Sequence, residues 1–111
     1  MRFISKVTGH SEVRRLMIHD CREGVYLFIF EIEEDGGCSA DLCFETINEA
    51  MDTAKYNYGV CPSDWKEIPD PLEHCQQDWI APVRVIGREM GNPQWGKFEM
   101  LKNGKWMKIK G

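Results

Sequence analysis

The chain has 111 residues, of which 42% are hydrophobic and 29% charged, and it carries a formal net charge of −4 at pH 7. This length and composition predict a single globular domain over residues 1–111 and exclude a disordered chain. The longest uncharged run in the apolar part of the chain, residues 24–30, is too short for a membrane helix, and the net acidity argues against a general nucleic-acid binder.

The N-terminal segment contains charged side chains too early for the apolar core of a secretory signal peptide, so a cytoplasmic location is expected. Residues 2–7 alternate in polarity and predict a short strand that ends in a turn at residues 8–11. Residues 12–18 are compatible with either a helix or a strand, and the strand is favoured.

The strongest strand signal lies in residues 25–34, whose first half is apolar on both faces. Such a strand is typical of the interior of a sheet that is covered on each side. The Asp-Gly-Gly triplet at residues 35–37 predicts a turn, after which residues 38–44 return as an antiparallel strand. The helix that follows is predicted to pack across the aromatic face of the first strand. That face carries Tyr26, Phe28 and Phe30.

Residues 44–59 predict an amphipathic helix, because their apolar positions recur at steps of three and four. Thr46 and Glu49 fit the S/T-x-x-E capping box at its start, and Gly59 can adopt the left-handed conformation that ends a helix. The apolar positions are Phe44, Ile47, Met51, Ala54 and Tyr58. The opposite side is polar, so we expect one side to be buried and the other to face water.

Residues 60–82 contain four of the five prolines and two of the four tryptophans of the chain. Proline removes a backbone donor and restricts the preceding residue, so a long helix or a central strand is not expected here. A long irregular connection of this kind is more often functional than idle. Residues 83–88 form the next predicted strand.

The last predicted unit is a hairpin over residues 98–109, because Asn103-Gly104 is the preferred pair of a two-residue type I′ turn. This turn fixes the register of both strands by placing Lys102 opposite Lys105. One face of the hairpin is then apolar and carries Phe98, Met100, Met107 and Ile109.

These elements together predict an α+β fold. Its parts are an antiparallel sheet of five to six strands, one long helix packed on one face, and the long irregular loop of residues 60–82. No internal repeat and no known family motif is recognised in the sequence.

Cysteine and histidine form no recognisable metal or catalytic motif. The five cysteines contain no C-x-x-C pair and are expected to be reduced in a cytosolic chain. Only His19 and Cys21 approach the spacing of zinc ligands, so no metal site and no cofactor are predicted. His74 and Cys75 are adjacent, which rarely lets two side chains face each other, so a non-catalytic role is favoured over an enzyme.

The residues favoured for binding lie in and after the long loop. Large amphipathic rings next to Pro and Gly, including Trp95, can anchor a partner, although such rings also fill the ends of small cores. Neighbouring polar side chains suit a specific contact. The predicted binding residues are Trp65, Gln76, Gln77, Asp78, Trp79, Arg84 and Arg88.

The favoured function is a small cytoplasmic, non-catalytic protein-interaction domain that binds a protein through residues 60–82. An inhibitor or immunity-like role is one form of it. The alternative is a small-molecule-binding domain or enzyme with a cleft near His74 and Cys75.

A third interpretation is weak nucleic-acid binding through the C-terminal hairpin. Residues 95–111 hold five lysines against one glutamate, whereas residues 31–52 hold eight acidic residues and no Lys or Arg. Lysines that protect a sheet edge from aggregation would explain the same pattern. A protein partner is therefore expected, whereas nucleic-acid binding and membrane association are not, and the sequence leaves the oligomeric state open.

Overall fold

The computed structural model describes residues 1–109 and divides the chain into two compact units, Met1–Asp70 and Pro71–Gly111. Each unit has its own antiparallel sheet. Within residues 1–109, neither unit contains a helix with the length and apolar character needed to cross a membrane. The prediction of a single domain over residues 1–111 stays a prediction.

Unit 1, Met1–Asp70, consists of five strands, one α-helix and a short 3-10 helix. The elements are β1 Arg2–Lys6, β2 Arg15–Cys21, β3 Gly24–Phe30, β4 Ala40–Phe44, α1 Ile47–Tyr58, the 3-10 helix Pro62–Asp64, and β5 Lys66–Ile68. The strand order in the sheet is β4-β3-β2-β1-β5, and all neighbours are antiparallel. The predicted α+β fold, an antiparallel sheet of five to six strands with one long helix on one face, is confirmed, and the sheet of unit 1 has five strands.

Strand β3 lies inside the sheet, as its apolar pattern predicts. Leu27 and Phe30 are both fully buried, and they belong to separate core clusters. Residues 15–18 belong to strand β2, so the strand interpretation of residues 12–18 is confirmed for that part. The one strand that the structure shows in the proline-rich segment, residues 60–82, is the three-residue edge strand β5, which agrees with the expected absence of a central strand there.

Helix α1 begins and ends at the residues that the sequence indicates. The Thr46 hydroxyl oxygen accepts a hydrogen bond from the Glu49 backbone N–H at 3.2 Å. Gly59 has a φ of 72°, and its N–H donates to the carbonyl oxygens of the last turn. Ala50 and Ala54 are completely buried, because they form the centre of the side that faces the sheet.

The helix packs on the opposite face of β3 from the predicted one. Ala54 and the partly buried Met51 belong to the core cluster that contains Leu27. Phe28 belongs to a second cluster, to which Phe30 and the partly buried Tyr26 also belong. The prediction that α1 packs across Tyr26, Phe28 and Phe30 is therefore wrong.

The cause of this error is the register of β4 on β3. A turn confined to residues 35–37 would place Phe44 opposite Phe28. The connection in the structure runs from residue 31 to residue 39, and Phe44 lies opposite Val25 instead. This shift is an odd number of residues, which exchanges the two faces of a strand, so the chain enters α1 on the face of Val25.

The capping hydrogen bond of Thr46 gives a test of helix stability. We expect Thr46→Ala to lower the free energy of unfolding of unit 1 by about 1 kcal/mol, because the Glu49 N–H loses its acceptor. Thr46→Ser retains the hydroxyl and should change that free energy by a few tenths of a kcal/mol at most. Urea denaturation followed by far-UV circular dichroism compares the two variants. An equal loss of unfolding free energy in both variants would show that the hydroxyl does not stabilise α1.

Unit 2 is described from Pro71 to Ile109 and contains a three-stranded antiparallel sheet. Its elements are β6 Val83–Val85, the 3-10 helix Arg88–Met90, β7 Phe98–Lys102 and β8 Lys105–Ile109. The strand order is β6-β7-β8. The strand predicted over residues 83–88 ends early, because Gly87 adopts a left-handed conformation before the 3-10 helix begins.

The predicted register of the C-terminal hairpin is confirmed at every pair. Lys102 lies opposite Lys105, and Phe98 lies opposite Ile109. Asn103 and Gly104 have φ angles of 50° and 78°, as a type I′ turn requires. The hairpin therefore follows from two turn residues and the alternation of its strands.

Candidate interaction surface

Trp65 lies in unit 1, where it packs against the core cluster beneath α1. Its indole Nε1 is buried and has no hydrogen-bond partner among residues 1–109. This position matches the alternative interpretation in which a tryptophan completes a small core.

The other loop residues predicted to bind lie in unit 2. Gln76, Gln77, Asp78 and Trp79 are all half-buried. The Gln76 N–H donates to the Val83 carbonyl oxygen at 2.7 Å, which attaches the loop to β6. Arg88 donates from NH1 to the Gln76 side-chain oxygen at 2.8 Å. The structure thus brings two of the predicted residues, Gln76 and Arg88, into direct contact.

Arg84 is held by three side chains of unit 2. Its Nε donates to Glu99 at 2.7 Å, and its NH2 lies 3.5 Å from the Glu89 carboxylate. The guanidinium carbon lies 3.6 Å from the centroid of the Trp106 ring. The side chains of Arg84 and Glu99 are each only 14% exposed. Because its donors and its flat face are engaged internally, Arg84 is placed to stabilise the three-stranded sheet.

The most exposed large apolar side chains of unit 2 lie on the connection between β6 and β7, which we call the 86–97 loop. Met90 is 79% exposed and Trp95 is 74% exposed. We call these two side chains the Met90/Trp95 surface. Neither was among the predicted binding residues, although the sequence identifies Trp95 as a ring beside Pro and Gly that can anchor a partner.

Backbone hydrogen bonds hold the 86–97 loop in two turns. In the first turn, Met90 and Asn92 both donate to the Gly87 carbonyl oxygen, at 3.1 and 3.0 Å. In the second turn, Lys97 donates to the Gln94 carbonyl oxygen at 3.1 Å. Ile86 joins the second turn to the strand, because its carbonyl accepts from Gln94 and its N–H donates to Lys97.

Gly87 is required by the first turn for two reasons. Its φ is +83°, which L side chains rarely adopt. A Cβ at this position would lie 2.3 Å from the Asn92 carbonyl oxygen, well inside ordinary contact distance. The path of the loop therefore depends on the absence of a side chain at residue 87.

Four lysines of unit 2 are exposed in the described part of the chain. Within residues 1–109, none of them forms a salt bridge. These residues are Lys97, Lys102, Lys105 and Lys108. Glu99 lies opposite Lys108 in the hairpin, but its carboxylate bonds Arg84 on the neighbouring strand. Arg84 also occupies one face of Trp106, which reduces the surface that a nucleic-acid base could stack on.

The residues weighed for catalysis and metal binding do not converge within residues 1–109. No group of three His, Cys, Asp or Glu residues is placed there to hold a metal ion. His74 has a left-handed φ of 66°, and its Nε2 lies 3.4 Å from the Glu73 carboxylate. Cys75 is buried. Burial also raises the pKa of the Cys21 thiol, which reduces its thiolate fraction.

The chain matches no protein-family model, no curated protein and no solved structure with which it was compared.

Proposed function

We propose that this chain is a small cytoplasmic, non-catalytic protein-interaction domain that binds a partner protein through the Met90/Trp95 surface. The half-buried Gln76 of the preceding loop and the exposed Arg88 form the polar margin of that contact. An inhibitor or immunity-like role, in which the bound protein is another enzyme or a toxin, is one form of this function.

The observation that carries the proposal is the exposure of two large side chains on a loop with a defined backbone. Tryptophan and methionine are enriched in protein interfaces, and tryptophan is prominent among the residues that dominate binding energy. A loop that is already ordered loses little conformational entropy when it binds. The turns at Gly87 and Gln94 therefore favour tight binding by Met90 and Trp95.

The polar margin supports specificity. The Gln76 side chain receives its hydrogen bond from Arg88, which belongs to the same 3-10 helix as Met90. Arg88 is exposed, so its remaining donors can reach a partner's carbonyl or carboxylate oxygens. This pair therefore connects the loop of residues 60–82 with the 86–97 loop.

Substitution of the two exposed side chains tests the proposal. We expect Trp95→Ser to weaken partner binding about tenfold or more, because a buried anchor at an interface contributes more than about 1 kcal/mol. Met90→Ser should weaken it by a smaller factor. The partner is first identified by affinity capture from a lysate of the source cells, and isothermal titration calorimetry then gives each Kd.

Tyr56→Ser is the matched control, because Tyr56 is an aromatic residue that is 92% exposed on α1 of unit 1. It should leave Kd unchanged. Equal weakening by Tyr56→Ser and Trp95→Ser, or no effect of Trp95→Ser, would contradict the assignment of this surface. Failure of the wild-type chain to retain any protein beyond the resin control would contradict the function itself.

A further inference from the structure

Two exposed strands, one in each sheet, have an outer edge without a neighbour in the described part of the chain. Strand β4 is at one end of the five-stranded sheet, and β8 is at one end of the three-stranded sheet. Leu42 in β4 is 41% exposed, and Met107 in β8 is 54% exposed. Backbone N–H and C=O groups on such edges can pair with a strand of another molecule.

The two edges carry opposite charge. Strand β4 contains Asp41 and is followed by Glu45, both exposed, within a stretch of the sequence that has no Lys or Arg. Strand β8 contains Lys105 and Lys108, also both exposed. Within residues 1–109, none of these four side chains forms a salt bridge. Each edge therefore has an electrostatic complement in the other.

We propose that β4 of one molecule pairs with β8 of a second copy of this chain, extending the sheet from one molecule into the next. This association uses surfaces other than the Met90/Trp95 surface and does not depend on the function proposed above. Because two different edges meet, the contact is heterologous, and it generates a ring or an open chain of molecules rather than a symmetric dimer.

One antiparallel register satisfies both the charges and the apolar side chains. With Met107 opposite Leu42, Lys108 lies opposite Asp41, and Ile109 lies opposite Ala40. Directly opposed residues of an antiparallel pair lie on the same face, so the apolar residues meet on one face and the charged pair forms on the other. A shift of one residue would place Lys108 opposite Leu42 and lose both matches.

The same charges disfavour pairing of identical edges. Two copies of β4 would bring together two acidic segments, and two copies of β8 would bring together four lysines. Lysine on an edge strand commonly prevents aggregation with other edges. That protection does not apply against an acidic edge, where the lysine gains a partner.

Sedimentation equilibrium of the full chain, under reducing conditions, tests the proposal. At low salt we expect the average mass to rise with concentration above the 12.9 kDa of one chain. The mass should fall back as salt is raised from about 0.01 M to about 1 M, because the Debye length shrinks from about 30 Å to about 3 Å. A single-chain mass at every concentration and salt level would overturn the proposal, and so would an association that strengthens with salt, which indicates pairing of like edges.

Charge reversal identifies the paired strands. Lys108→Glu and Asp41→Lys should each weaken the association constant about tenfold, because an attractive cross-strand pair becomes a repulsive one. The double variant, Asp41→Lys with Lys108→Glu, restores the opposite charges and should return to within about threefold of the wild-type constant.

Lys6→Glu is the matched control, since it makes the same charge change at an exposed side chain of β1, which is an inner strand of the five-stranded sheet. It should leave the association constant within about twofold of the wild type. An equal fall of the association constant in Lys6→Glu and Lys108→Glu would show an effect of net charge alone. A double variant whose association constant does not recover would exclude this register. Either result overturns the proposal.

Discussion

Gly87→Ala is expected to abolish partner binding by the Met90/Trp95 surface, although residue 87 is buried and offers the partner no side chain. An alanine at a φ of +83° costs about 1–2 kcal/mol of backbone strain. The added Cβ would also lie 2.3 Å from the Asn92 carbonyl oxygen, whereas ordinary contact begins near 3.4 Å. The backbone of Asn92 must therefore move, and the first turn of the 86–97 loop cannot keep its hydrogen bonds.

The same loop contains a control for this substitution. Gly91 has a φ of +73°, but a Cβ there would meet no atom within 4 Å. Gly91→Ala therefore carries the backbone strain without the steric overlap. The difference in amide exchange rate between the two variants isolates the effect of the overlap. Amide hydrogen exchange at Met90 and Asn92 should be more than tenfold faster in Gly87→Ala than in Gly91→Ala, because 1.4 kcal/mol corresponds to a factor of ten.

The binding measurement follows the same comparison. We expect Gly91→Ala to bind the captured partner with a modest loss and Gly87→Ala to show no detectable titration. If both variants bind equally well, the conformation of the first turn does not matter to the contact. If protection from exchange is lost in Gly87→Ala while Kd is unchanged, Met90 and Trp95 act without a preformed loop, and the argument from order in the free state is wrong.

The parts of the fold that local chemistry determines could be predicted from the sequence. Asn103-Gly104 sets the register of the hairpin, because a type I′ turn of two residues leaves one pairing. Thr46 and Gly59 set the ends of α1 in a similarly local way. The start needs a side-chain acceptor for a free backbone N–H, and the end needs a residue that adopts a left-handed conformation. In these places the signal lies within a few residues of its consequence.

The face of the sheet that receives α1 could not be predicted, because it depends on the length of one connection. The Asp-Gly-Gly triplet at residues 35–37 indicated a tight turn, but the connection extends over residues 31–39. Both faces of β3 are apolar, so the alternation of its side chains could not reveal an odd shift in register. The error in the packing of α1 followed directly.

The candidate site shows the same limit. Gln76 and Arg88 were grouped as polar side chains of the long loop and of the strand predicted after it, and a hydrogen bond joins them in the structure. Arg84 was grouped with them, but its side chain bonds Glu99 and stacks on Trp106. Those contacts join β6 to β7 and β8, and sheet neighbours of this kind are not visible in a sequence without the register. Exposure of Met90 likewise depends on the path of the loop.

Arg84→Ala is expected to lower the free energy of unfolding of unit 2 by about 2–3 kcal/mol. Breaking a buried ion pair by removing one partner typically costs about 3–5 kcal/mol, and the 14% exposure of Arg84 and Glu99 reduces that value. Glu99 would keep a poorly solvated carboxylate without its 2.7 Å donor. Arg84→Lys should recover little, because an ammonium lacks both the fork of donors and the flat surface that stacks on Trp106.

The neighbouring carboxylates provide the internal comparison. Glu99→Gln should destabilise unit 2 more than Glu89→Gln, because Glu89 is 28% exposed and lies 3.5 Å from Arg84. A pair at that distance and exposure contributes less than about 1 kcal/mol. The urea dependence of amide exchange in β7 measures each loss of stability locally.

A double-mutant cycle of Arg84→Ala with Glu99→Gln should give a coupling energy of about 1–3 kcal/mol. Additive losses would mean that Arg84 stabilises the sheet mainly through its stacking on Trp106 rather than through the carboxylate.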